Sequence, residues 1–198
     1  DRAAEAASAI EQALRLRPGF SPALVAQGNV LMSLGRPAEA LAAFEQALRA
    51  SERYLGFDTH NFPGCFVCGP ERGPGDGLRI FPGSLEGSGD RLAATWTPDA
   101  SLADASGIVG PEFIWAALDC PGAFTRYPLA EGIALVLGEL AVAQVGLLRA
   151  DEPCILTAWS LGENGRRRHA GTALFQAEGR LVAKARAVWV EVPAQDWG

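Results

Sequence analysis

The sequence predicts an α+β fold for most of the chain, preceded by an all-α segment. Three observations carry this. Residues 1–50 are alanine-rich with helical spacing, and they repeat: "EQALR" stands at 11–15 and again at 45–49, an offset of 34 residues. From about residue 57 the grammar changes, and glycine and proline become dense. After that point one apolar helix comes early and several long strand patterns follow, which describes helix packed on antiparallel sheet.

The elements follow in order. Residues 1–56 form the helical segment. Under the 34-residue offset Ala6 matches Ala40 and Ile10 matches Phe44. Small residues with a large apolar residue four later suit helices packed close together. "RPG" at 17–19 and Pro22 break the segment. Residues 57–198 form the second domain. "NFPGCFVCGPERGPGDGLRIFPG" (61–83) predicts extended loops feeding a first strand near 78–82. A strand at 91–97 and the helix 111–120 come next, then strands at 133–147, 154–162, 167–177 and 180–192. Turn signals at 149–153, 162–165 and 177–180 separate them, and the last pair reads as a hairpin. A sheet wrapped around the helix would make that helix apolar all round.

Composition narrows the function classes. The formal net charge of −6 leaves no basic footprint for nucleic acid. The longest apolar run, 132–148, contains Glu139 and several glycines, and falls short of the ~20 apolar residues of a membrane helix. Four cysteines are too few for a disulfide scaffold, so a reducing cytoplasm is expected. Cys120 and Cys154 lie in apolar contexts and read as buried thiols. Cys65-x2-Cys68 has metal-ligand spacing with His60 upstream, but no second pair follows it. Packed or loop thiols, no metal and no cofactor are therefore expected.

Two resemblances add to this reading. "GNVLMSLGRPAEALAAFEQALRA" (28–50) resembles a tetratricopeptide repeat, with Ala40, Phe44 and Ala47 in the second helix. About one and a half repeats are covered. Such repeats bind protein or peptide segments in a concave groove, so the resemblance implies a protein partner. A helical appendage or oligomerisation aid is the alternative. Over about residues 61–192 the order of elements resembles the hotdog fold of acyl-CoA thioesterase-like proteins. "CFVCGP…GDGLRIFP" (65–82) is similar to their entry segment and "HAGTALFQAEGRLVAKARAVWV" (169–190) to their closing hairpin. "GIVGPEFIWAALD" (107–119) is similar to their helix segment, usually Gly-x-x-His-Gly-Gly with an acid nine residues after the His. Gly110 takes the His position, and Asp119 lies nine residues on.

The resemblance implies hydrolysis of an acyl thioester, on coenzyme A or an acyl carrier, with no cofactor beyond the coenzyme A of the substrate. Asp119 would be the general base or nucleophile. A backbone amide at the helix N-terminus, together with the Gly110 region, would polarise the carbonyl. It also implies a homodimer or dimer of dimers, with the cleft between subunits. The motif departs from the family at Gly110-Pro111-Glu112. Proline has no N–H, so Glu112 or Phe113 would supply the amide. Glu112 also suits the helix dipole. If Glu112 and Asp119 share one helix they lie two turns apart on one face, about 10 Å along the axis. Asp119 has a competing reading as a turn or cap residue. Arg166, Arg167, Arg168 and His169 would meet coenzyme A phosphates, or form a solvated strand start. A non-catalytic acyl-thioester binding module or adaptor is the alternative function.

Overall fold

Alternation in the last strand shows how the sheet is built. From Leu181 to Pro193, Ala183, Ala185, Ala187 and Trp189 are buried while Lys184 and Arg186 are exposed. A period of two puts these sets on opposite faces. The computed structural model describes residues 37–196. The first repeat copy, the break at 17–22 and most of the first helix of the second repeat lie outside those residues.

Six antiparallel strands form one sheet: β1 (Gly83–Ser84), β2 (Leu92–Trp96), β3 (Ile133–Gln144), β4 (Cys154–Asn164), β5 (Arg167–Gln176) and β6 (Leu181–Pro193). Their order is β1-β2-β4-β5-β6-β3. The four long strands and the β5–β6 hairpin at 177–180 follow the sequence pattern. The first strand does not. Residues 78–82 are extended, and the amides of Leu78 and Ile80 bond to the Phe66 and Val67 carbonyls. Arg79 has a φ of 55°, which breaks the pleat, so regular pairing with β2 begins only at Gly83.

Among the described residues three α-helices pack on this sheet: α1 (Pro37–Ser51), α2 (Pro111–Ala117) and α3 (Pro121–Phe124). The predicted helix over 111–120 therefore stops at Ala117, and a separate short helix begins at Pro121. Pro121 cannot donate an amide hydrogen and crowds the turn before it. The amides of Asp119, Gly122 and Ala123 bond three residues back, to Ala116, Asp119 and Cys120. The chain thus tightens into a turn at 118–120. The helix is not enclosed all round: Ile114 and Ala117 are buried, but the apolar Trp115 is 43% exposed.

The inner face of the sheet carries Ala94, Trp96, Leu156, Ala170, Leu174 and the buried set of β6, packed with Ile114, Leu118 and Phe124. Burying such a large apolar side chain contributes about 1.5–3 kcal/mol. Small residues on β5 and β6 let α3 come close. A Cβ on Gly122 would lie 3.0 Å from Trp189 Nε1 and 3.2 Å from Ala170 Cβ.

The outer face of β2 and β4 is covered by α1. Phe44, Ala47 and Ala50 pack there on Ala93 and Ile155. Phe44 and Ala47 are the residues that carried the repeat pattern. Backbone meets backbone at the end of this helix, because a Cβ on Gly83 would fall 1.8 Å from the Ala50 carbonyl oxygen. The Ser51 hydroxyl accepts the Thr95 amide at 3.1 Å, and the Arg53 guanidinium donates to the Ser84 carbonyl. Among the described residues, no helix is long and apolar enough to cross a membrane.

Candidate functional site

Asp119 sits in the tight turn between α2 and α3, on the inner side of the sheet. The turn is pinned from below: the buried Thr172 hydroxyl on β5 donates to the Leu118 carbonyl at 2.8 Å. Asp119 does not cap the following helix. The N-cap of α3 is Cys120, and no side chain bonds the free amides there. Instead, Asp119 Oδ1 is buried with no hydrogen-bond partner. Burial raises its pKa to about 6, and the Cys65 sulfur nearby adds to the rise. A desolvated, unpartnered carboxylate is a stronger base and nucleophile than a hydrated one. Trp189 Nε1, against Gly122, is a second buried polar atom without a partner.

The entrance of α2 has few free amides. Gly110 N–H donates to the Leu102 carbonyl at 3.0 Å, and Phe113 N–H to the Gly110 carbonyl at 3.1 Å. Pro111 has no hydrogen to give. By position this leaves the Glu112 amide without an intrahelical acceptor. The Glu112 side chain is exposed and curls back over Gly110, where a Cβ would meet its Oε1 at 2.6 Å. Because the helix breaks before Asp119, the two-turn spacing does not hold, and Glu112 and Asp119 do not share one helix face.

The basic run divides. Arg168 is spent on structure: its guanidinium pairs with Glu191 at 2.9 Å and Glu163 at 3.5 Å, and donates to the Gly165 carbonyl. Arg166 lies in the turn before β5. It and Arg167 are exposed, whereas His169 is half-buried. The structure therefore leaves Arg166 and Arg167 free to meet an anion and takes Arg168 away.

Sequence reasoning did not find the thiol group beside this turn. Cys65, Cys68 and Cys120 bring their sulfurs within 4.8 Å of one another, with Cys65 and Cys120 at 3.6 Å. The Cys120 thiol lies within hydrogen-bond reach of the Cys65 sulfur, and with the neighbouring Cys68 it holds the Cys65 pKa well below the ordinary thiol value. Cys120 is correspondingly pushed up. Cys154 is buried elsewhere, with its thiol on the Glu152 carbonyl. Thr172 and Trp189 were also missed. The alternation of β5 and β6 was the available signal, since it turns both inward.

A cavity of about 180 Å³ is lined by Arg53, Arg91, Phe124, Thr125 and Tyr127 among others, and Asp119 is not in its wall.

Comparison with known proteins bears on the fold. The tetratricopeptide repeat family model matches residues 21–54. A search of curated protein sequences finds no match. Among solved structures, a phenylacetic acid degradation-related protein from Ralstonia eutropha is similar at 18% identity and a TM-score of 0.52. The match covers 57% of this chain and 85% of that one. A thioesterase from Haemophilus influenzae gives 15% identity and 0.53, over 59% and 80% of the two chains. A further thioesterase superfamily protein gives 19% and 0.55, over 65% and 60%. This chain therefore has the hotdog fold found in the thioesterase superfamily, with tetratricopeptide repeat sequence ahead of it.

Proposed function

We propose that the protein hydrolyses an acyl thioester, with acyl-CoA as the substrate class and Asp119 as general base or nucleophile. One observation carries the reading: Asp119 Oδ1 is buried without a hydrogen-bond partner, in a turn that Thr172 pins. A carboxylate kept this way without a structural partner costs stability, and a reactive role accounts for it. The carbonyl of the thioester would take the Glu112 amide as donor. Arg166 and Arg167 would meet the phosphates of coenzyme A.

The reading includes a second subunit. β3 is an edge strand of 12 residues, and long free edges invite pairing or cover. A homodimer or dimer of dimers would cover this edge and could place a substrate cleft between subunits. The four unpaired thiols fit a reducing, cytoplasmic compartment. The repeat segment remains a candidate for a protein partner.

A second reading is favoured by the α2 entrance. Gly110 and Phe113 amides are already bonded and Pro111 has none, so a binding module without turnover would leave the same cleft with little to stabilise an oxyanion. Thiol release from a panel of acyl-CoAs, compared between wild type and Asp119→Asn, separates the two. Turnover that the substitution lowers at least 100-fold, within the range of about 10²–10⁴ for general acid–base catalysis, supports hydrolysis. Acyl-CoA binding without turnover supports the binding module. Equal turnover in both proteins removes Asp119 from the reaction.

A further inference from the structure

Three of the four cysteines meet at one point, although 55 residues separate Cys65 from Cys120. Free thiols gain little by clustering, since S–H is a weak donor and sulfur a weak acceptor. Metal ligation does need such a cluster. A tetrahedral ion with metal–sulfur bonds of about 2.3 Å sets its sulfurs about 3.8 Å apart. The Cys65–Cys120 pair already stands at 3.6 Å, and no pair in the set exceeds 4.8 Å. Closing the set takes shifts on the order of 1 Å, within the reach of side-chain rotation.

The surroundings suit thiolates. The Cys65–Cys68 loop closes on itself, with the Gly69 amide donating to the Cys65 carbonyl at 2.9 Å. A Cβ on Gly69 would lie 2.4–2.5 Å from the Pro63 and Cys65 backbone, so the turn is tight. His60 Nε2 lies 3.4 Å from Cys68 Sγ, while its Nδ1 accepts the Phe62 amide at 2.9 Å. An acceptor at Nδ1 leaves the ring proton on Nε2, so the neutral imidazole donates to the Cys68 sulfur. His60 is then a positioning residue, and the three sulfurs are the ligands. Cys65 is the half-exposed member, which gives an ion a way in.

We propose that Cys65, Cys68 and Cys120 are the three protein ligands of one soft d10 metal ion, zinc in the first instance, beside the Asp119 turn. Soft thiolates select zinc and copper(I) over hard cations. Three protein ligands leave the fourth position of a tetrahedral zinc for a small ligand. Binding releases the thiol protons to solvent, with no change of oxidation state. The site joins the loop at 65–68 to the turn at 118–120, and so fixes the residue that follows Asp119. The expectation of no metal came from seeking a second sequence-local pair. The third ligand comes instead from across the fold.

The test is metal content, read without turnover, so its failure and that of the hydrolytic reading are separate. The full chain is purified under reducing conditions without chelator, and zinc and copper are quantified. It is then stripped and titrated with zinc against a chromophoric chelator, and with cobalt(II) for thiolate charge-transfer absorption. About one equivalent of zinc or copper(I), with thiolate absorption on cobalt binding, is expected. Cys154→Ser keeps full binding, and Cys65→Ser, Cys68→Ser and Cys120→Ser each weaken it at least 100-fold. His60→Ala weakens it about 10- to 100-fold, the usual effect of an outer-shell partner, and keeps the thiolate absorption. Wild-type protein that binds under a tenth of an equivalent overturns the proposal, as does a Cys65–Cys120 disulfide under these conditions. Equal loss in Cys154→Ser and Cys120→Ser, or loss of thiolate absorption in His60→Ala, also overturns it. The wild-type titration stands even where a cysteine variant fails to fold.

Discussion

Helices cover the two faces of the sheet in opposite ways. On the outer face α1 packs Ala47, Ala50 and Phe44 on Ala93 and Ile155, its last residue Ser51 takes the Thr95 amide, and Arg53 just beyond it reaches Ser84 and Glu86. On the inner face α2 and α3 bury more apolar surface, yet they keep Asp119 Oδ1 and Trp189 Nε1 without partners and three thiols in one place. Buried polar groups are ordinarily satisfied. A helix serving only stability meets that rule, as α1 does. The inner layer breaks it at Asp119, in the turn between α2 and α3, and at Trp189 on β6 against Gly122; Arg91 Nη2, just ahead of β2, is a third buried atom without a partner. Polar groups left unsatisfied here mark the place to look for chemistry.

The contrast can be broken at four points. The largest effect is expected for Asp119→Asn, with turnover falling about 10²–10⁴-fold. Thermal unfolding should hold steady or rise, because an uncompensated carboxylate is removed. A large loss of stability would place Asp119 with the structural groups. Next comes Gly83→Ala on the outer face. The new Cβ meets the Ala50 backbone, and denaturant unfolding should show a loss of about 1–3 kcal/mol with the kcat of surviving protein unchanged. A drop in kcat would mean the two faces are coupled.

Thr172→Val tests the support under the turn. It leaves the Leu118 carbonyl buried without its donor, which costs about 1–3 kcal/mol. It should also lower kcat more than it raises KM, and Thr172→Ser should restore both. An unchanged kcat in Thr172→Val would show that the turn holds Asp119 without this bond. The smallest effect is expected for Ser51→Ala, about 1 kcal/mol, from the lost acceptor for Thr95. Equilibrium unfolding reads it, and activity should not move.

Local pattern made β2, the four long strands and the closing hairpin legible, because each depends on neighbours within a few residues. Even the end of the inner helix was announced by Pro121. The split entrance was half legible. Pro111 shows in the sequence, but the bonding of the Gly110 amide to Leu102 depends on a loop placed by the fold. Arg168 looked like its neighbours until Glu191, on β6, took it. Cys120 looked like a packed thiol until the fold set it against Cys65. The docking of α1 was illegible for the same reason: Phe44 and Ala47 fit a repeat and a sheet equally well. What one sequence withholds is the pairing of distant segments, and both candidate sites here depend on such pairings.

β1 is only two residues long and pairs with β2 only at Leu92 and Ala93. Beyond it, the edge of β2 would show the Thr95 amide to water, but the Ser51 hydroxyl of α1 takes it. The helix thus stands in for the missing length of strand. That single amide hydrogen becomes a clock for the whole outer layer. Its exchange with deuterium proceeds when the helix lifts, so the rate reports how often the repeat segment lets go of the sheet.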